Sequence, residues 1–128
     1  MVAWAEYKAA AKERGSLAHE LFVVVSTPEK APDDVKAVLP DHLAYQQSLE
    51  QSGALAFAGP LSDETGDHMQ GTGMIVYRAD SLEQAKQFAD ADPMHRTGTR
   101  SYTLRRWMIN EGSLQLDLRL SAQVVSMT

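Results

Sequence analysis

The stretch ALAFAGPLSDETGDHMQGTGMIVYRADSLEQAKQFADADP, residues 54–93, decides the fold. ALAFAGPL (54–61) reads as a strand closed by Gly59-Pro60, and GMIVYRA (73–79) reads as a second strand. The polar, glycine-punctuated segment between them predicts a hairpin loop and therefore an antiparallel pair. Ser81 and Gln84 stand at capping-box spacing, and Leu82, Ala85, Phe88 and Ala89 supply the apolar face of a helix. That helix has to end near Asp92, because Pro93 disfavours the α conformation in the residue before it.

Upstream, HELFVVVS (19–26) is a continuous β-branched and aromatic run closed by Thr27-Pro28, as expected of a strand buried on both faces. A polar loop, TPEKAPDD, follows, then a helical turn around Val35, Val38 and Leu39. A helix is predicted from about Asp41 to Gln51, with Pro40 suited to its first turn and Ser52-Gly53 ending it. Downstream, RTGTRSYTLRRWMIN (96–110) contains a strand carrying Tyr102, Leu104 and Trp107. The resulting order over about 19–110, β-α-β-β-α-β, is that of a ferredoxin-like α+β fold, an antiparallel sheet with two helices on one face. The other face is expected to meet a second subunit.

Two additions flank this core. Residues 2–14 predict an N-terminal helix with Trp4, Tyr7 and Ala11 on one face and Gly15 at its C-terminal end. Leu114, Leu116, Leu118 and Leu120 alternate with Gln115, Asp117 and Arg119, which predicts an extra half-buried C-terminal strand over about 113–121. No repeat or linker interrupts the chain, so residues 1–128 are expected to form one domain, in keeping with the length.

Composition narrows the function. With 44% hydrophobic and 23% charged residues the chain reads as globular, and the absence of cysteine removes disulfides, thiol nucleophiles and iron–sulfur ligands. A net charge of −5 opposes a nucleic-acid partner. No apolar run approaches the roughly 20 residues of a membrane span, and the charged N-terminus lacks a secretory h-region, so a cytoplasmic location is expected. Dinucleotide, P-loop and nucleophile-elbow motifs are missing, and Gly71-Thr72-Gly73 is too short for a phosphate cradle.

Four histidines remain: His19, His42, His68 and His95. None has metal-ligand spacing with another, and no metal site is assigned. His19 opens a strand and His68 sits in the hairpin loop, where structural and solvated roles suffice. His42 falls in the predicted first turn of a helix, whose exposed N–H groups disfavour imidazolium. It is either structural or a neutral imidazole available for proton transfer. Asp92, before Pro93, is either a turn-former or the carboxylate that orients a histidine. His95, Arg96 and Arg100 follow in the same region. The cluster is either an exposed polar loop or a binding site for a small anionic or phenolic ligand.

The ordered set His42-Leu43, Gly53, Ala58-Gly59-Pro60, Gly71-x-Gly73 and Asp92-Pro93 resembles the YCII-related (YciI-like) family over about residues 19–110. The resemblance implies a dimeric α+β barrel, in which two ferredoxin-like protomers pack sheet against sheet. The family's histidine–aspartate pair then falls on His42 and Asp92. It implies small substrates, often aromatic or lactone-like, dehydrochlorinase-type elimination among the reactions, and no metal or organic cofactor. This chain departs from the pattern in two places: Met94-His95 follows Asp-Pro where an aromatic residue is common, and Val38-Leu39-Pro40-Asp41 lacks the arginine found before the helix histidine. The reading that emerges is a cofactor-independent lyase or isomerase. His42 transfers a proton, Asp92 orients it, and His95, Arg96 and Arg100 are available to the substrate. A ligand-binding or assembly protein of the same fold is the alternative.

Overall fold

The computed structural model describes residues 1–128. In chain order its elements are α1 (Trp4–Glu13), β1 (His19–Pro28), α2 (Pro32–Ser52), β2 (Leu55–Ser62), β3 (Met69–Tyr77), α3 (Leu82–Ala91), α4 (Pro93–Arg96), β4 (Arg100–Ile109), β5 (Leu116–Arg119) and β6 (Val124–Met127). They fall into two compact units, Glu20–Trp107 and the joined ends Met1–His19 with Met108–Thr128. No helix is long and apolar enough to cross a membrane.

The larger unit holds a four-stranded sheet in the order β2-β3-β1-β4, with β3 antiparallel to both β1 and β2. This is the α+β, ferredoxin-like arrangement that the strand and helix order predicts. β1 and β3 lie inside the sheet, but β1 is not buried on both faces as its apolar run predicts: Phe22 and Val24 are buried, whereas Val23 and Val25 on the other face are half-buried. Phe22 stands opposite Tyr77 and Val24 opposite Ile75. Side chains alternate across a strand, so these four share a face. They form the core with Leu49 of α2 and with Ala85 and Ala89 of α3. Each large apolar side chain buried there contributes about 1.5–3 kcal/mol. Ala85 and Ala89, one turn apart and fully buried, keep α3 close to the sheet. Ser81 caps α3 by accepting the Gln84 N–H at 3.0 Å, while the Gln84 side chain reaches back to the Asp80 N–H at 2.6 Å.

α2 differs from the sequence expectation. The predicted turn and the predicted helix from Asp41 are one helix of 21 residues that runs through Pro40. A proline φ is compatible with helix, and only the bond to the Lys36 carbonyl is forfeited, although an interior proline costs about 3 kcal/mol or more. Pro32 takes the initiating position instead, with Asp33 and Asp34 in the first turn where the helix dipole favours them. His42 therefore stands well inside the helix. The argument from exposed N–H groups at a helix start does not apply to it.

After α3 the chain does more than stop. Asp92 takes an extended conformation (φ −61°, ψ 125°) before Pro93 and caps the single turn of α4. In the smaller unit, α1 buries Ala11, and Gly15 follows it at φ 86°. Asn110 accepts the Ala18 N–H at its side chain, at 3.2 Å. The C-terminal segment is a hairpin, not one strand: β5 pairs with β6, setting Leu116 opposite Met127 and Leu118 opposite Val125. These four share a face and are each 60–64% exposed. The leucine stripe was expected to be half-buried, but a two-stranded ribbon supplies neighbours beside it and no layer above it.

Gly71 makes a close approach. It lies at φ 93°, and a Cβ there would sit 3.1 Å from Pro28 Cγ. Gly71→Ala is expected to lower the unfolding free energy by about 1–2 kcal/mol in urea denaturation, the cost of a left-handed residue carrying a Cβ. An unchanged midpoint would show that the β1–β3 contact relaxes freely.

Candidate active site

Pro93 fixes the first component. By holding Asp92 out of the helical conformation it aims the carboxylate back at α4, where Oδ1 accepts the Met94 N–H at 2.9 Å. Asp92 is fully buried. Its remaining donor comes from α2: His42 Nδ1 lies 2.8 Å from Oδ1 and 2.9 Å from Oδ2. An ionised carboxylate only accepts, so Nδ1 carries the proton and Nε2 presents its lone pair. Nε2 has no protein partner, yet no buried side-chain polar atom lacks one. It is therefore accessible, and His42 lines a cavity of about 750 Å³.

The cavity wall is mostly apolar. α2 contributes Val35 and Leu39, β2 contributes Ala58 and Pro60, and β3 contributes Met69, Met74 and Ile75. Its volume is in the range of small-molecule sites.

Ser26, at the end of β1, and Arg100, at the start of β4, also line the cavity. Arg100 donates from Nε to Ser26 Oγ at 2.8 Å, and from one terminal nitrogen to the Ser26 carbonyl at 2.7 Å and to the Gly71 carbonyl. His95 Nδ1 lies 2.8 Å from the Ala89 carbonyl, which can only accept, so Nδ1 is the donor. His95 Nε2 is then the acceptor for the Ser26 hydroxyl, 2.8 Å away. Every bond runs one way, from guanidinium to hydroxyl to imidazole to carbonyl. Burial holds the His95 imidazole below its usual range, against the smaller opposing pull of the Ala89 carbonyl and Asp92. Burial also pulls the Arg100 guanidinium down, with Asp92 opposing, and arginine remains a cation throughout.

The structure brings His42, Asp92 and Arg100 to one region and separates the rest. His95 does not line the cavity: both ring nitrogens are engaged, and the ring packs on Tyr102 with centroids 4.7 Å apart. Tyr102 in turn donates to Asp90 at 2.5 Å, and its phenol is pushed up to about 12 by burial and by that carboxylate. Arg96, in α4, is exposed and outside the cavity wall. His19 is exposed, and His68 lies 3.5 Å from Asp63 on the hairpin loop. No three His, Asp or Glu side chains converge on one point. Ser26 and the Gly71 carbonyl are the components the sequence reading missed. A signal existed for Ser26: it is the polar residue ending an apolar strand, and it is only 3% exposed.

A model of the YCII-related domain matches residues 20–108, a span that includes Ser26, His42, Asp92, His95 and Arg100. "Uncharacterized protein YjpA" of Bacillus subtilis (strain 168) is 33% identical over 70 residues, covering 55% of this chain and 75% of that protein. Among solved structures, 5-chloro-2-hydroxyhydroquinone dehydrochlorinase (TftG) from Burkholderia phenoliruptrix AC1100, in complex with 2,5-dihydroxybenzoquinone, is 19% identical. It matches with a TM-score of 0.49, over 68% of this chain and 92% of that one.

The depressed His95 has a consequence for stability. Below its usual value of 6.5 the unfolded chain takes up a proton that the folded chain resists. Its contribution is thus complete above that pH and is lost as pH falls toward the folded-state value. His95→Gln is expected to flatten the decline of the urea midpoint as pH falls below about 6.5 toward the folded-state value. An unaltered slope would assign that decline to other groups.

Proposed function

The chain belongs to the YCII-related domain family, and on that premise we propose an enzyme that performs acid–base chemistry on a small organic substrate. The observation carrying this reading is His42: Nδ1 is held by both oxygens of a buried carboxylate, and Nε2 is left open on a mostly apolar cavity. A histidine so held is a general base of fixed tautomer and aim, and the imidazolium formed on proton transfer is stabilised by Asp92.

In the proposed reaction Nε2 removes a proton from a carbon or hydroxyl made acidic by an adjacent oxygen. The electron pair either expels a leaving group from the neighbouring carbon, a lyase reaction, or moves so that the proton returns elsewhere, an isomerase reaction. The charge developing on oxygen is met by the free part of the Arg100 guanidinium. His95 acts at a distance, by holding Ser26. Both reaction types need only a proton carrier and an anion holder from the protein, in keeping with a cofactor-independent enzyme.

The proposal extends to a homodimer, paired through the sheet face that the helices leave uncovered and, in addition, through the terminal hairpin. Leu116, Leu118, Val125 and Met127 give the β5–β6 hairpin an apolar exposed face, and a lone two-stranded hairpin is marginal in water. A symmetric contact of this face with itself covers both copies at once.

Two measurements test these statements. His42→Ala is expected to lower kcat/KM by about 10²–10⁴-fold, with the fold retained by circular dichroism. Asp92→Asn is expected to follow it, because an amide no longer enforces the tautomer. A His42→Ala enzyme of full activity would end the acid–base reading, and ligand binding without turnover would make the protein a binder. Sedimentation at micromolar concentration is expected to give twice the 14.1 kDa chain mass, reverting toward one chain in a Leu116→Asp/Leu118→Asp variant. A wild-type monomer would overturn the dimer.

A further inference from the structure

The protein carries a net charge of −5, yet its cavity wall has the opposite sign. Lys30, Lys36 and Arg100 line it, and no Asp or Glu does. Asp92 lies behind His42, fully buried and bonded to it. Lys30 donates only to the Thr97 carbonyl, at 3.3 Å, and none of the three cations forms a salt bridge with a carboxylate. Cations gathered on a low-dielectric wall raise the local concentration of anions.

The hydrogen-bond count at Arg100 narrows the anion. Of the five N–H groups of a guanidinium, three are spent on Ser26 Oγ, the Ser26 carbonyl and the Gly71 carbonyl. Two remain, on the other terminal nitrogen, and they have no protein acceptor. Because no buried side-chain polar atom is unpartnered, that nitrogen is accessible. The three spent bonds fix the plane of the guanidinium before any ligand arrives. Two donors on one nitrogen suit one oxygen-bearing anionic group. Leu39, Pro60, Met74 and Ile75 supply apolar wall for the rest of the ligand.

We propose that the cavity binds a small organic acid with an apolar body, its carboxylate held by Arg100 and drawn in by Lys30 and Lys36. This deepens the acid–base reading by naming the substrate class, and it rests on that reading for the cavity being the substrate site. Ser26 and His95 are positioning residues for the guanidinium: His95 Nε2 accepts the Ser26 hydroxyl hydrogen bond and so turns the oxygen lone pairs toward Arg100 Nε.

The test is calorimetric titration of the intact protein with benzoate, phenylacetate and hexanoate, each paired with its primary amide. The acids are expected to bind about tenfold or more tightly than the amides, as befits a charged hydrogen bond. Added salt should weaken the acids only. Arg100→Gln is expected to erase the preference. Since Arg100 also ties β1 to Gly71, Lys36→Gln serves as a variant that leaves those bonds intact, and it should reduce the acid affinity and its salt dependence. Amides binding as tightly as acids, a preference surviving Arg100→Gln, or no binding of any acid would each overturn the proposal. His42→Ala is expected to keep the acid preference. Failure of the binding series therefore removes the anion site alone, whereas failure of the base reading appears only as retained turnover in His42→Ala.

Discussion

A carboxylate with no contact with solvent has to be met by donors, and much of the local architecture is the response to Asp92. A buried charge left unpaired costs several kcal/mol. Here one donor is local, the Met94 N–H of the helical turn that Asp92 itself caps. The other is delivered from α2, fifty positions earlier in the chain. The requirement couples two helices across the unit: α2 has to present His42 at the height of the α3–α4 break, and it does so by continuing through Pro40. The lost backbone bond in α2 and the hydrogen bond from His42 to Asp92 belong to the same arrangement.

The second polar network is ordered by the same kind of necessity. Arginine has only donors and a backbone carbonyl only acceptors, so a chain with Arg100 at one end and Ala89 at the other has a single direction. That direction sets the His95 tautomer without reference to the ligand. Two histidines near one cavity therefore have different standing. His42 keeps a nitrogen free, while His95 has both nitrogens committed and neutral packing against Tyr102.

The sheet and its helices were legible because their signals are local and mutually consistent: the apolar runs of β1 and β3, the capping of α3 by Ser81, and the stop imposed by Pro93. The extent of α2 was not, because Pro40 reads as a helix start when weighed against its neighbours alone, and only tertiary contact rewards carrying the helix through it. For the site, Asp92 stood out by its place before proline, and its pairing with His42 came from the family resemblance. His95 was grouped with Asp92 by sequence proximity, but the single turn of α4 sends its ring to Ser26 and Tyr102. Ser26 announced itself only as a polar residue at the end of an apolar strand, a weak signal until Arg100 is seen to converge on it. The second strand of the terminal hairpin, four residues long, carried no alternation that its length could make distinctive.

Of the three acceptors that aim Arg100, two are main-chain carbonyls, those of Ser26 and Gly71. No side-chain substitution deletes a carbonyl. The apolar wall, which includes Leu39, Pro60, Met69 and Met74, consists of side chains whose size and shape are free to change. The cavity thus separates a part anchored in the backbone from a part that can be resculpted residue by residue. Such a division lets a scaffold acquire new substrates while keeping one handle for holding them, and it makes this domain a suitable starting point for directed evolution.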